Sequence, residues 1–324
     1  MRSSGTSTLF PDQPDGSCPP SMKTRSWLAS ASTWLLACGF CLLVGLALPV
    51  GADSGLPLPP LNSASRAPRL PGKFVWADLV TDDVPAARNF YAGLFGWSFR
   101  DFGGYLVAYN DDRPLAGMFQ RPRPKDQSAQ PRWLGYISVP DVAQARRAVT
   151  AAGGEVVVEP RKFPKRGEQA VFLDADGALF GVVKSSGGDP ADVLAEPGDW
   201  VWVQLLTRDA RRAADFYRAV VGYSVVENSE TNRASDFVLT SKGYARATVR
   251  ALRGANRAMK PTWIPFVRVA NLDDCLAKTT SLGGKVVVAP RPDVLGGKAA
   301  LVADPTGGTV GVMELQPGLL KGGR

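Results

Sequence analysis

The sequence contains no histidine among its 324 residues. Histidine is the usual general base near neutral pH and the commonest metal ligand. Its absence excludes Ser-His-Asp and Cys-His catalysis, HExxH zinc proteases and every metal site that requires an imidazole. Cysteine is scarce too: Cys18, Cys38 and Cys41 lie near the start, and Cys275 is alone in the rest of the chain. Because a lone cysteine cannot form an internal disulfide or a thiolate cluster, we assign Cys275 no role.

The composition is sufficient for two folded cores, because 45% of the residues are hydrophobic and 21% are charged. Such values exclude a disordered or collagen-like chain. The formal net charge is +8, yet the basic residues are scattered and no nucleic-acid-binding motif accompanies them. We therefore predict no nucleic-acid partner, only a general attraction to anionic ligands or surfaces. The stretch Gly296-Gly297-Lys298 fails the P-loop pattern, since no glycine lies five residues before Gly297.

Residues 26–52 carry no charge, follow the basic residues Lys23 and Arg25, and end on small residues before Asp53. This layout predicts that residues 1–52 comprise an N-terminal extension and a signal peptide, that the mature chain begins at Asp53, and that the protein is exported to a periplasmic or other extracytoplasmic location. The alternative is an uncleaved anchor, which would be the protein's only membrane contact. A lipoprotein whose mature chain begins at Cys38, after the lipobox-like residues 35–38, ranks last, because strongly apolar sequence continues beyond Cys38. Translation starts at either Met1 or Met22.

A duplication organises the rest of the chain. Residues 53–71 are rich in proline and serine and predict a linker or surface strap. The repeated pieces of the first copy are residues 75–81 and 90–91, which recur 126 positions later, and residues 153–154, 156–158 and Asp174, which recur 130 positions later. A repeat of this length is domain-sized. We predict domains at 72–186 and 199–317, a linker at 187–198 and a tail at 318–324.

Within each copy the pattern is strand, helix and several short strands, twice over. The first helix follows a strand at 74–81, with Asp82 or Asp83 as its cap and Gly96 at its end. The second half predicts a helix capped by Asp141 and strands near 155–158, 169–173 and 178–184. Two aromatic pairs, 90–91 and 216–217, have the helical spacing of core residues, and Asp174 and Asp304 precede turns that aspartate favours. Each copy is thus predicted to consist of two βαβββ units in an α+β fold.

Three motifs, each present twice in the same order, carry a family resemblance. They are residues 76–83, 89–97 and 174–181, with counterparts at 202–209, 215–223 and 304–311. With them the chain resembles, over nearly all of residues 72–317, the vicinal oxygen chelate superfamily of glyoxalases, bleomycin-resistance proteins and extradiol dioxygenases. The resemblance implies a tandem α+β fold in which each copy forms a cupped mixed sheet around one ligand site.

The resemblance also implies where a metal would lie. Enzymes of that family hold a divalent ion through histidine or glutamate on their sheet strands. The matching positions here are Trp76, Leu134 and Gly181 in the first copy, and Trp202, Ile264 and Gly311 in the second. None of these residues can coordinate a metal, and Asp78 and Glu314 lie two or three residues away from the expected positions. We predict no cofactor and no stoichiometric transition metal.

Strand alternation selects the side chains of the two cups. It places Trp76 and Asp78 on one face and Val75, Ala77 and Leu79 on the other. The resemblance implies that the face with the family's ligand position, here Trp76, is the concave one. The candidate ligand-binding residues are Trp76, Asp78, Tyr136 and Ser138 in the first copy, and Trp202, Gln204, Phe266 and Arg268 in the second. Alternatively, the aromatic side chains fill the cups as core, and Arg268 pairs with an acid within its own sheet. Otherwise the first cup is expected to prefer neutral or cationic groups, and the second to bind anionic ligands through Arg268.

These residues predict a metal-independent small-molecule binding protein similar to the bleomycin-resistance branch. One alternative is a metal-independent lyase or isomerase with Asp78 as base and Tyr136 as acid or electrophile. Another is a structural or partner-binding module of the cell envelope whose cups are packed shut. The predicted partner is a small molecule, and anionic small molecules are one class of ligand that the sequence allows.

Overall fold

The computed structural model describes residues 58–62, 67–122, 130–227, 236–292 and 295–315. The predicted signal peptide, the Asp53 start, three of the four cysteines and the tail at 318–324 lie outside the described residues. Within the described ranges, no helix is long and apolar enough to cross a bilayer.

The described chain forms two copies of one arrangement. The first copy contains β1 (Phe74–Thr81), α1 (Val84–Phe95), β2 (Ser98–Asp101), β3 (Tyr105–Asn110), β4 (Arg113–Gln120), β5 (Arg132–Ser138), α2 (Val142–Ala151), β6 (Glu155–Phe163), β7 (Gly167–Leu173) and β8 (Leu179–Ser185). The second copy contains β9 (Trp200–Thr207), α3 (Ala210–Val221), β10 (Ser224–Glu227), β11 (Asp236–Ser241), β12 (Tyr244–Ala251), β13 (Thr262–Val269), α4 (Leu272–Ser281), β14 (Lys285–Val288), β15 (Ala299–Ala303) and β16 (Thr309–Glu314). Single turns of 3-10 helix lie at Gly254–Ala258 and Leu295–Gly297.

Each copy folds its strands into one eight-stranded mixed sheet. The strand order is β2-β3-β4-β1-β5-β8-β7-β6 in the first sheet and β10-β11-β12-β9-β13-β16-β15-β14 in the second. The central strand β1 pairs parallel with β4 and antiparallel with β5, and β9 does the same with β12 and β13. The predicted α+β class with two βαβββ units per copy is confirmed.

The helix boundaries follow from local chemistry. Asp83 caps α1 by accepting a hydrogen bond from the Ala86 amide at 3.0 Å, and Gly96 ends it in the left-handed region at φ 75°. Asp209 and Gly222 do the same for α3. A β-carbon raises the energy of this backbone conformation, so glycine is the favoured terminator.

Two local expectations were wrong. Strand β6 runs to Phe163 instead of ending near 158, because it is the edge strand of its sheet and an edge tolerates Pro160. Val75 packs with the concave-face residues instead of the opposite face, because a register shift in the β1–β5 pairing lies between Phe74 and Trp76. Such a bulge changes which face a side chain occupies.

The helices pack between the copies, where two cores are shared. One core joins α2, β7 and β8 to α3, β9, β11 and β12, and the other joins α1, β1 and β4 to α4, β13, β15 and β16. Phe90 and Tyr91 on α1 and Phe216 and Tyr217 on α3 are all buried there, as predicted.

Candidate functional site

The concave face of the first sheet, named cup 1 here, is built around Asp78 on β1. Its Oδ1 atom accepts hydrogen bonds from Trp76 Nε1 at 2.8 Å and from the Tyr105 hydroxyl at 2.6 Å. Tyr136 on β5 lies opposite Trp76 in the strand pairing. None of these four side chains is more than 6% exposed. The structure therefore brings together three predicted residues, Trp76, Asp78 and Tyr136, and adds Tyr105.

The two phenols of cup 1 are hydrogen-bond donors. Burial raises the pKa of both Tyr105 and Tyr136 well above the ordinary value, and the negative charge of Asp78 raises it further. A phenol with a raised pKa stays protonated at neutral pH. The donors around Asp78 offset part of the cost of burying its carboxylate.

Ser138 does not join this cluster, although it lies on the predicted face. Its hydroxyl donates to Asp189 at 2.6 Å, and the Asp189 carboxylate also accepts from the Ser185 hydroxyl at 2.7 Å and the Leu70 amide at 2.6 Å. Through this hydrogen bond, Ser138 at the end of β5 holds the segment that follows β8.

Two residues of cup 1 escaped the sequence analysis, Tyr105 and Arg166. Tyr105 begins β3, and it could have been found because it shares strand alternation with buried Val107 and Tyr109. Arg166 lies in the turn between β6 and β7 with its Cζ atom 4.2 Å from the centroid of the Trp76 ring, and it is 1% exposed. A basic residue in a polar turn normally predicts solvent exposure, so no local signal marked it.

The strap, defined as residues 58–62, covers cup 1. Leu58 and Leu61 pack in the same cluster as Trp76 and Tyr105. The carbonyl of Pro59 accepts a hydrogen bond from Arg166 Nε at 2.6 Å. These contacts account for the burial of the cup 1 side chains.

The concave face of the second sheet, named cup 2 here, is more open. Trp202 and Gln204 on β9 are half-buried, whereas their counterparts Trp76 and Asp78 are only 3% and 4% exposed. The indole of Trp202 donates to the Thr248 hydroxyl at 3.1 Å. The other members of the cup 2 cluster are Val201, Leu206, Ile264, Phe266, Ala299, Leu301, Met313 and Leu315. Trp202 and Phe266 therefore pack in one cluster on cup 2, and Gln204 lies two residues from Trp202 on the same strand. Ligand binding by these residues stays a prediction.

Arg268, the fourth predicted residue of cup 2, contacts the segment that precedes β9. Its Nη1 atom donates to the Ala195 carbonyl, and its guanidinium lies 4.0 Å from the Glu196 carboxylate. Its Nε atom has no hydrogen-bond partner among the residues that the structure describes. Glu196 lies in the segment before β9 and not on a strand, so this contact differs from the predicted pairing with an acid of the same sheet. The anion preference of cup 2 stays a prediction.

The positions where the fold family places a metal do not fit one. They carry indole, alkyl and hydrogen side chains, which offer no ligand atom with the required lone pair. A β-carbon at Gly181 would lie 2.3 Å from the Tyr136 ring, and one at Gly311 would lie 2.2 Å from the Phe266 ring. Aromatic rings therefore fill the space beside these two glycines. Among the described residues, no group of three or more His, Cys, Asp or Glu side chains could hold a metal.

Comparison with known sequences gives relatives over most of the chain. The anthracycline biosynthesis protein DauV of Streptomyces sp. (strain C5) is 32% identical over 262 residues, which cover 76% of this chain and 94% of the relative. The putative glyoxylase CFP32 of Mycobacterium tuberculosis (strain CDC 1551 / Oshkosh) is 27% identical over 248 residues, which cover 75% of this chain and 94% of the relative.

Solved structures share the fold at low sequence identity. The Mn(II)-bound glyoxalase from Novosphingobium aromaticivorans matches with a TM-score of 0.53 and 17% identity, covering 76% of this chain and 83% of its own. A variant of homoprotocatechuate 2,3-dioxygenase from B. fuscum matches with a TM-score of 0.53 and 15% identity, covering 78% and 73%. The family model of the Glyoxalase/Bleomycin resistance protein/Dioxygenase superfamily matches residues 73–182 and again residues 200–312. The chain therefore belongs to this superfamily, with two tandem copies of its domain.

Proposed function

We propose that this protein is an exported small-molecule binding protein that holds a flat aromatic ligand in cup 2 without a metal ion. The observation that carries the proposal is the half-buried indole of Trp202 in an apolar cup that is more open than cup 1. The ring of Phe266 and the side chain of Ile264 supply further apolar surface, and Gln204 offers a donor and an acceptor. Ligand pockets commonly combine such an apolar wall with a few polar groups.

The names of two relatives support an aromatic ligand. DauV and DnrV, each 32% identical to this chain, are called anthracycline biosynthesis proteins. Anthracyclines contain fused, flat rings, which stack well on an indole face. For this chain we therefore take a flat aromatic ring system as the ligand class.

Two further parts of the proposal rest on the sequence. The chain has no histidine and offers no ligand atom at the family's metal positions, which supports binding without a metal. The uncharged segment at 26–52 supports export. The intact mass of protein from the envelope fraction tests export: a chain beginning at Asp53 supports it, and retention of residues 22–52 favours an anchor.

The binding test uses alizarin, a dihydroxyanthraquinone, titrated into the full-length protein by calorimetry. We expect binding that EDTA leaves unchanged, and a loss of about tenfold in affinity, about 1.4 kcal/mol, for Trp202→Leu. Val193→Ala is the control, because Val193 is 64% exposed on the segment between the copies. Equal affinity in Trp202→Leu and wild type, or loss of binding with EDTA, would contradict the proposal.

A second candidate is a metal-independent lyase or isomerase with Asp78 as base and Tyr136 as acid. It is favoured by the placement of a carboxylate and a phenol in one buried cup. Incubation with alizarin or small carboxylic acids, followed by NMR, separates the two candidates: a new product that Asp78→Asn abolishes supports the enzyme. A partner-binding envelope module is favoured if neither binding nor turnover occurs.

A further inference from the structure

Arg166 carries unused hydrogen-bonding capacity in the interior of cup 1. Its Nη1 and Nη2 atoms are both buried, and neither has a hydrogen-bond partner in the described part of the chain. Only Nε is engaged, by the carbonyl of Pro59 at 2.6 Å. Each terminal nitrogen bears two N–H donors, and burying a charged donor without an acceptor has a high free-energy cost. The N–H groups on Nη1 and Nη2 of Arg166 therefore call for a hydrogen-bond acceptor that the described part of the chain does not supply.

Asp78 is not that acceptor. Arg166 and Asp78 share Trp76 and Tyr105 as neighbours, yet no ion pair within 4.0 Å joins them in the described structure. The Oδ1 atom of Asp78 is already engaged by the Trp76 indole and the Tyr105 hydroxyl. Asp78 and Arg166 therefore both contact Trp76 and Tyr105 without contacting each other.

The second copy lacks this arginine and also lacks the same hairpin, because β14 ends at Val288 whereas β6 continues to Phe163. The position equivalent to Arg166, 130 residues on, is Gly296, and the position equivalent to Asp78 is Gln204. Strands β15 and β16 pair as β7 and β8 do in the first copy. Of the two cups, only cup 1 therefore has both an aspartate and an arginine at these positions, and the β15–β16 pairing forms without them in the second copy.

The surroundings of the guanidinium are apolar on several sides. The Trp76 ring lies 4.2 Å from Cζ and the Tyr105 ring 5.7 Å from it. Leu58 and Leu61 of the strap belong to the same cluster. A guanidinium against aromatic rings binds a planar carboxylate through two parallel hydrogen bonds, while apolar neighbours accept a hydrocarbon group.

We propose that cup 1 contains a binding site for a small organic carboxylate, with the Nη1 and Nη2 atoms of Arg166 donating to the ligand's two oxygens beneath the strap. Entry requires displacement of the strap, since Pro59 lies on Nε and the leucines cover the rings. This site is distinct from the aromatic site proposed in cup 2. It departs from the expectation that cup 1 prefers neutral or cationic groups, which rested on Asp78 without Arg166, because Arg166 adds a positive charge to the same cup. The anion preference expected for Arg268 concerns a different guanidinium, which lies in the second copy and contacts the Ala195 carbonyl.

The test titrates acetate, butyrate and benzoate into the full-length protein by calorimetry at constant ionic strength, with inorganic phosphate as a comparison. We expect at least one carboxylate to bind, with a loss of about tenfold or more in both Arg166→Gln and Arg166→Gly. Thermal unfolding of both variants shows whether each is folded, so a loss of affinity is read from folded protein. Arg161→Gln, on the exposed face of the same hairpin, is the matched control and should bind as wild type does.

A second measurement concerns the strap. Leu61→Ala removes apolar contact between the strap and cup 1, so the association rate of the bound carboxylate should rise severalfold. The proposal is overturned if no carboxylate binds, if only phosphate binds, or if the Arg166 variants bind as tightly as wild type. Alizarin binding and its loss in Trp202→Leu are measured independently, so failure of either proposal is distinguishable from failure of the other.

Discussion

Equivalent positions in the two copies carry different side chains, so the two cups offer different chemical groups. Tyr105 stacks on Phe119 in cup 1, whereas the equivalent pair in the second copy, Asp236 and Arg250, forms an ion pair at 3.0 Å. Duplication kept the backbone and the core face of each strand, while the concave faces diverged. A residue on a concave face is therefore informative about ligand chemistry, and its partner across the duplication is a natural control.

The first prediction concerns the glycine beside the Phe266 ring. A β-carbon at Gly311 would lie 2.2 Å from Phe266 Cδ1, so Gly311→Ala should lower the free energy of unfolding by about 1–3 kcal/mol through overpacking. Chemical denaturation measures the loss. The double variant with Phe266→Leu should recover part of it, because the smaller side chain vacates the space. An unchanged stability in Gly311→Ala would show that the ring moves freely.

The second prediction concerns the thiol of Cys275 on α4. Burial raises the pKa of this thiol to about 11, so at about pH 8 very little reactive thiolate exists. We expect iodoacetamide to leave Cys275 unmodified in the folded protein and to alkylate it in concentrated guanidinium chloride. Peptide mass mapping distinguishes Cys275 from the other three cysteines. Rapid alkylation in the native state would contradict a buried, protonated thiol.

The site residues that sequence could predict are those selected by strand alternation alone. Trp76, Asp78 and Tyr136 follow from the period of two along β1 and β5, and the same rule finds Trp202, Gln204 and Phe266. It cannot find Arg166, because the path of a turn depends on which segment later packs over it. It also cannot detect that the Ser138 hydroxyl donates a hydrogen bond to Asp189 in the linker that follows β8.

At the scale of elements, the helices connect the copies through buried tyrosines. The Tyr217 hydroxyl on α3 donates to Asp174 at 3.0 Å, in the turn before β8, and accepts from Trp263 Nε1 at 2.7 Å. The same arrangement occurs at α1, where the Tyr91 hydroxyl donates to Asp304 at 2.9 Å and accepts from Trp133 Nε1 at 3.0 Å. Sequence predicted a buried tyrosine and a turn-forming aspartate separately. Their pairing across the duplication is long-range, and no local pattern encodes it.

The third prediction tests this connection. Tyr217→Phe removes the hydroxyl and leaves the Asp174 oxygen and the Trp263 N–H without it in the core, so stability should fall by about 1–3 kcal/mol. Tyr244→Phe is the matched control, since Tyr244 is 57% exposed, and it should change stability by less than about 0.5 kcal/mol. Thermal or denaturant unfolding provides both values. Equal stability in the two variants would mean that the Tyr217 hydrogen bonds contribute nothing.

At the scale of the whole molecule, the repeat predicts two domains, but among the described residues the two largest hydrophobic cores are each shared by both copies, and only the clusters of the two cups belong to a single copy. One shared core includes Ile137 and Phe180 of the first copy with Leu205 and Phe216 of the second. The other core joins the remaining halves in the same way, with α1 against α4. Sequence periodicity shows which face of an element is apolar, but it cannot show which copy supplies the opposing face.

The last prediction follows from these shared cores. Separating the copies would expose to water the apolar face of α1 and the apolar face of α2, which pack against the second copy. A chain of residues 58–186 should therefore fail to fold as a monomer. The full-length protein should unfold in one cooperative transition, with equal calorimetric and van't Hoff enthalpies. Tyr91→Phe in the first copy and Tyr217→Phe in the second should each lower the midpoint of that one transition. Two resolved transitions, each shifted by only one of the variants, would show that the copies are independent folding units.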